Sequence, residues 1–374
     1  ELNTDYDKVR LQHANKKQTP MWTLERARAN KTPIDWANYT PPKPKFIGRR
    51  VFKNFDLTEL AKYIDWGPFF QTWDLAGPFP AILKDEVVGT EAVRVYADGQ
   101  RMLKRLIEGR WLTASGVMGL YPANSVNDDD IEIYTDESRT EVAMTWYGMR
   151  QQTEKQIVTG EHGEQIQRPS RCLADFVAPK VAINSIADRA YSTRAEDQEK
   201  DVQNQGKQDY IGIFAVTAGL GVEKKEKYFT DDHDDYSAIM LKALADRLAE
   251  AFAEALHHRV RTDLWGYAPQ EALGPEDLIA EKYSGIRPAP GYPACPDHSV
   301  KREMFDLLRC EDIGMELTES LAMTPAASVS GFFLSHPQST YFNVGKIGED
   351  QLQDMARRRG TTEQALQRLL APNL

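Results

Sequence analysis

The residues best equipped for chemistry lie in one stiff run, Arg287-Pro288-Ala289-Pro290-Gly291-Tyr292-Pro293-Ala294-Cys295-Pro296. Its four prolines hold φ near −65° and remove four backbone donors, so it forms neither an ordinary helix nor a central strand. Arg287 presents a planar fork of donors suited to a carboxylate or phosphate. Gly291 permits a sharp turn or close ligand approach, and Tyr292 adds a ring face and a hydroxyl. Alone, the run reads equally as a ligand cradle or as a proline-rich connection with a surface arginine. Asp65 stands between Ile64 and Trp66, an anion among apolar neighbours that needs a partner if buried. Asp246, Glu250 and Glu254 are spaced four apart, a self-repelling stripe on a helix. It is either a solvated face relieved by Arg247 or a face turned toward something positive.

Other motifs are weaker. Asp231-Asp232-His233-Asp234-Asp235 precedes a helix and reads as a solvated cap rather than a metal site. Gly219-Leu220-Gly221 lacks the third glycine of a dinucleotide fingerprint. Arg357-Arg358-Arg359 is too short for nucleic acid but suits an acidic protein partner. The formal charge of −10 argues further against a nucleic-acid binder, whose footprint is strongly basic. Cys172, Cys295 and Cys310 are odd in number and widely spaced, the pattern of reduced cytoplasmic thiols; no base stands near Cys295 to make it a nucleophile. No apolar run is long enough to span a membrane, and the polar N-terminus is no signal peptide.

These residues must be positioned by a body of mixed elements. Residues 1–45, charged and then proline-rich through Tyr39-Thr40-Pro41-Pro42-Lys43-Pro44, read as a tether from an upstream module. Residues 46–374 read as one α+β domain, with a mainly antiparallel, twisted central sheet flanked by helices. Helices are expected at Asp56–Ile64, Thr90–Glu108 and Tyr236–Arg261, the last burying Ile239, Leu241, Leu244, Leu248, Phe252, Ala255 and Leu256. Strands are expected at Val117–Tyr121, Ile131–Thr135 and Glu141–Tyr147, and Ile211–Thr217 reads as a central strand buried on both faces. Ser330–Leu334 and Thr340–Ile347 pattern as a hairpin. The stretches 156–171 and 184–208 are hydrophilic and read as surface excursions. Gly360 ends one helix, and Thr361 with Gln364 fits a capping box opening the last.

An ordered series of blocks carries a family resemblance. It comprises Tyr63-Ile64-Asp65-Trp66, Gly119-Leu120-Tyr121-Pro122-Ala123-Asn124, Arg150-Gln151-Gln152-Thr153-Glu154-Lys155, Cys172-Leu173-Ala174-Asp175-Phe176-Val177-Ala178-Pro179-Lys180, Trp265-Gly266-Tyr267-Ala268-Pro269 and the Arg287-to-Tyr292 signature. From about residue 20 onward the chain resembles the S-adenosylmethionine-binding activation domain of cobalamin-dependent methionine synthase. The resemblance implies that Asp65 and Arg287 bind S-adenosylmethionine, with the backbone beside Ala289 and Tyr292 completing the pocket. Glu250 and Glu281 become supporting ligands, because the methyl donor carries a sulfonium and an ammonium. The family's Tyr-Tyr pair falls on Tyr341 and Phe342, so one hydroxyl is missing here. The resemblance turns the loop bearing His298 toward the corrin. Taken together it implies a monomeric cytoplasmic reactivation module that presents a methyl group to cobalamin, using an electron from flavodoxin or an equivalent flavoprotein. Cobalamin would be held by an upstream domain outside this chain, and the zinc of the intact enzyme would also lie elsewhere; no catalytic acid or base is needed. Two alternatives stay open: a docking module that caps cobalamin and binds flavodoxin without a ligand of its own, and a free-standing S-adenosylmethionine-dependent methyltransferase.

Overall fold

The apolar run around Ile211 forms the middle of strand β7 (Asp209–Leu220) in the computed structural model, which describes residues 20–160, 163–180 and 206–374. Tyr210, Phe214, Val216 and Ala218 join the core on one face of β7, and Ile211, Ile213 and Ala215 the core on the other. Burial on both faces explains why this strand is continuously apolar although all its neighbours run antiparallel.

Strand β2 (Thr113–Val126) pairs with β7 along its length, from Thr113 opposite Leu220 to Ala123 opposite Asp209. Its other edge is divided between β1 (Gly48–Phe55) and β3 (Asp130–Tyr134). The β2–β3 turn passes through Asn127 and Asp128 at φ of 52° and 66°, a left-handed geometry that Asn and Asp tolerate. Strand β4 (Val142–Tyr147) extends the sheet beyond β3, and β10 (Ser328–Phe333) extends it beyond β7. Two small antiparallel pairs stand apart: β5 (Ile157–Thr159) with β6 (Gln165–Gln167), and β8 (Glu316–Leu317) with β9 (Met323–Thr324). The protein is therefore α+β, with one mainly antiparallel sheet between helical layers.

Ten α-helices occur among the described residues. They are α1 (Leu24–Ala29), α2 (Leu57–Ala61), α3 (Gly67–Gln71), α4 (Gly89–Glu108), α5 (Val222–Asp231), α6 (Asp235–Arg259), α7 (Pro275–Ile279), α8 (Lys301–Leu308), α9 (Glu349–Arg359) and α10 (Glu363–Leu369). None is long and apolar enough to cross a membrane. Helices α2, α3, α4 and α6 cover one sheet face, and α8 covers the other. Asp234 caps α6 by accepting from the Ser237 N–H at 2.9 Å, the role expected of that acidic run. Alanines at 243, 245, 249, 251, 253 and 255 are all buried and let α6 lie deep in the molecule. Ile239 departs from expectation at 42% exposure, because it lies two turns from Asp246 on the same outer stripe.

Several expectations need correction. Residues 20–45 are built into the domain rather than forming a tether. Trp22 and Leu24 are buried, and the Trp22 N–H donates to the Gln152 carbonyl at 2.7 Å. Arg28 bridges Asp129 and Asp354 at 2.7 and 2.6 Å, and the Trp265 indole donates to the Pro42 carbonyl at 2.7 Å. The proline-rich stretch lies against the body with Pro41 and Pro44 buried. Residues 1–19 are outside the described residues, as is most of the 184–208 excursion; the described part of the 156–171 excursion carries the antiparallel β5–β6 pair.

The second arm of the expected C-terminal hairpin is not a strand. The free edge of β10 is taken instead by the proline-rich run: Ile286 and Leu334 exchange two backbone bonds of 3.0 Å, and the Phe332 N–H donates to the Pro288 carbonyl at 2.9 Å. Thr340–Ile347 is irregular, with its groups satisfied elsewhere, as by the Val344 N–H on the Pro293 carbonyl. Thr362, not Thr361, caps α10 by accepting from the Ala365 N–H. Thr361 still closes α9 by donating back to the Ala356 carbonyl beyond left-handed Gly360. The Arg357-Arg358-Arg359 run forms ion pairs within its own domain, although Arg357 stays largely exposed. Arg358 is buried on Asp130 and Asp354, Arg359 pairs with Asp297 at 2.7 Å, and Arg357 pairs with Asp354.

Candidate binding cleft

Pairing with β10 aims Arg287, because Ile286 and Pro288 on either side of it are bonded to that strand. The close approach requires Gly331: a Cβ there would stand 2.6 Å from the Pro288 carbonyl oxygen. Beyond Ala289 the run folds back. The Tyr292 N–H donates to the Ala289 carbonyl at 3.2 Å and the Gly291 N–H to the Cys295 carbonyl at 2.8 Å. Gly291 sits at φ 92°, and a Cβ would strike the His298 ring at 2.1 Å. The Arg-x-x-x-Gly-Tyr spacing thus encodes a turn only glycine allows, with Tyr292 projecting at its crest, 59% exposed.

This turn forms one wall of a cleft of about 340 Å³. Tyr63, Ile64 and Asp65 of the α2–α3 connection, with Pro68 in the first turn of α3, form another wall. Arg247, Glu250, Ala251 and Glu254 of α6 form the floor, and α7 with Glu281 closes the remaining side. Five residues singled out from the sequence therefore meet here: Asp65, Glu250, Glu281, Arg287 and Tyr292. With Glu254 the cleft holds four carboxylates against the two guanidiniums of Arg247 and Arg287. Asp65 accepts from the Gly67 N–H at 2.9 Å, which caps the entry to α3 and fixes the carboxylate on the rim.

Ala289, Tyr341, Phe342 and His298 are not among the residues lining this cleft. Tyr341 supports it from behind, its hydroxyl accepting from the Arg287 backbone N–H at 3.0 Å. Phe342 packs between two apolar clusters, where a second hydroxyl would have no evident use. His298 is exposed on the outer side of the Gly291 turn.

The acidic stripe of α6 divides by depth. Asp246 is exposed, Glu250 half-buried, and Glu254 only 8% exposed. Glu254, equivalent by spacing to Asp246 and Glu250, is the partner of Arg287, with its Oε2 2.7 Å from Nη2. Its position one turn beyond Glu250, with alanines and leucines on both sides, was the available signal of burial. Arg287 Nη1 reaches His257 Nδ1 and the Tyr283 hydroxyl, each at 3.2 Å. Arginine only donates, so His257 accepts at Nδ1 and keeps its proton on Nε2, facing the Tyr267 hydroxyl at 3.5 Å. Burial, and then the neighbouring Arg261 and Arg287 charges, hold His257 well below the usual histidine range, consistent with a neutral ring. Burial is the largest influence and works against the Arg287 charge, but Glu254, Tyr283 and Tyr341 together outweigh it and keep this guanidinium protonated. Burial also raises the Glu281 carboxyl, with Arg287 opposing and Glu254 reinforcing. The Tyr63 hydroxyl on the cleft wall is hydrogen-bonded to His258 Nδ1 at 2.9 Å, and Cys295, buried outside the cleft, has its thiol pushed up to about 12.

The fold and cleft together define an α+β ligand-binding module whose site combines an arginine fork with an excess of carboxylates. The chain belongs to the family of the activation domain of vitamin B12-dependent methionine synthase, whose model matches residues 56–360. It is accordingly a domain of methionine synthase, a methyltransferase. Among solved structures it is similar to the MetH reactivation domain bound to AdoHcy. The identity is 49% and the TM-score 0.82, over 95% of this chain and 99% of that one.

Proposed function

We propose that the cleft binds S-adenosylmethionine and presents its methyl group to cobalamin during reactivation of methionine synthase. The observation carrying this reading is the convergence of Arg287 with Asp65, Glu250 and Glu281 around one cleft of ligand size. The Arg287 fork takes the ligand carboxylate, and the surrounding acids favour its ammonium and sulfonium. The similar structure's AdoHcy, the demethylated form of the same ligand, supports the assignment. Cobalamin, held by an upstream domain, would supply the metal centre for methyl acceptance, with flavodoxin or an equivalent flavoprotein as the electron source. This chain's contribution is positioning: it orients an already activated methyl group and needs no acid or base of its own. Tyr292 and the exposed His298 turn would face the cobalamin module, and the domain would work as a cytoplasmic monomer within its polypeptide.

The test is calorimetric titration of the 374-residue chain with S-adenosylmethionine, beside Arg287→Ala. Loss of one to two charge-assisted bonds, about 1.5–3 kcal/mol each, weakens affinity by roughly tenfold to a thousandfold or more. Near-normal binding by the variant would overturn the pocket assignment. No binding by well-folded wild type would favour a docking module without its own ligand.

A further inference from the structure

We infer that Glu254 is a positioning residue that holds the Arg287 fork in register to read the carboxylate of an α-amino-acid ligand. The inference rests on the reading of the cleft as an S-adenosylmethionine site.

A guanidinium has five N–H donors. Both on Arg287 Nη1 are taken, by His257 Nδ1 and the Tyr283 hydroxyl, and Nη2 is engaged in an ion pair, 2.7 Å from Glu254 Oε2. Among the described residues this leaves Nε–H and the second Nη2–H. Those two lie on one edge of the fork and match the two oxygens of a carboxylate. The edge is presented only while the other three donors remain engaged.

Of the three partners only Glu254 carries charge, and its place is specific. It lies between two guanidiniums, with Oε2 on Arg287 and Oε1 3.9 Å from Nη1 of Arg261. Glu254 Oε1 and Arg261 Nη1 are both buried without a hydrogen-bond partner. Arg261 cannot turn toward Arg287, because Glu271 holds it through two bonds of 2.7 and 2.8 Å. Arg261, fully buried, and Arg287, partly buried, thus form a pair of like charges separated by one carboxylate. Withdrawing that carboxylate leaves Arg287 repelled by Arg261 and free to swing toward solvent, 21% of its side chain being already exposed. The long-range field of Glu254 would disfavour a ligand carboxylate, so the residue helps carboxylate recognition only through position. A variant that keeps the charge but shortens its reach separates the two effects.

The experiment titrates the full chain with S-adenosylmethionine and with its decarboxylated analogue, which keeps the adenosine, sulfonium and amine. The ratio of the two affinities reports carboxylate recognition alone. Wild type should prefer the intact ligand by at least about tenfold, the worth of one charge-assisted bond. Glu254→Asp retreats by about 1.5 Å with its charge intact, and the preference should fall below about threefold. Glu254→Gln keeps the side-chain shape, protects the test against misfolding, and should show a partial loss. A wild-type ratio in both variants would reduce Glu254 to a structural acid and overturn the inference. A ratio that rises would mean that Glu254 competes for Arg287, which also overturns it. Wild type that binds both ligands equally would sink the inference and leave the S-adenosylmethionine reading standing. Wild type that binds neither would sink that reading and the inference with it.

Discussion

Gly331→Ala should damage the cleft from behind, without touching any residue that lines it. The added Cβ would stand 2.6 Å from the Pro288 carbonyl oxygen and 3.0 Å from the Phe214 ring. An unstrained contact needs roughly 3.5 Å, so a gap of about 0.9 Å must open. It cannot open toward Phe214, because Gly331 and Phe214 are paired residues of β10 and β7 in the buried sheet. The proline-rich run must move instead, which strains the 2.9 Å bond from Phe332 to Pro288 and carries Arg287 with it. Overpacking of this kind costs about 1–3 kcal/mol of stability. A shift near 1 Å takes a hydrogen bond beyond its useful range, so Arg287 should lose about one charge-assisted bond to the ligand. Affinity for S-adenosylmethionine should then fall by roughly tenfold to a hundredfold, with the fold retained. Calorimetry with chemical denaturation measures both quantities. Gly274→Ala is the control, since its Cβ would meet nothing within 4 Å. Wild-type affinity and stability in Gly331→Ala would refute the claim that β10 aims Arg287.

Two further outcomes test the fold around the site. Arg150 is fully buried, with Nε 2.7 Å from Asp129 and Nη2 2.7 Å from Asp175, so Arg150→Ala strands two interior carboxylates. Denaturant unfolding should show a loss of about 3–5 kcal/mol, and a loss under 1 kcal/mol would contradict this account. Asp209 accepts from the Ala178 and Tyr210 N–H groups inside the protein, and burial raises its carboxyl from 3.8 to about 7. Because the folded state holds this proton more tightly, the group's contribution is full below about pH 4 and disappears as pH rises through about 7. The stability of wild type relative to Asp209→Asn should therefore be greater at pH 5 than at pH 8, on the order of a few kcal/mol. A difference that does not change with pH would exclude the raised carboxyl.

Local chemistry was legible in the chain where it depends on neighbours in sequence. The doubly buried β7, the long α6 with Asp234 before it, and the glycine of the Arg287 turn all follow from periodicity, capping and backbone freedom. The residues of greatest chemical interest were visible for the same reason: an arginine heading a proline run and an aspartate among apolar residues are unusual in any fold. Pairing across distance was not legible. β10 accepts the proline-rich run at its free edge rather than the segment that follows it, a choice made by sheet geometry and by the space above Gly331. Residues 20–45 look solvated by composition, yet Trp22, Leu24 and Arg28 find partners more than a hundred residues away. The acidic stripe carries the same lesson on a smaller scale. Asp246, Glu250 and Glu254 are equivalent by spacing, and only the depth of α6 beneath the cleft leaves the first in water and sets the last between two arginines.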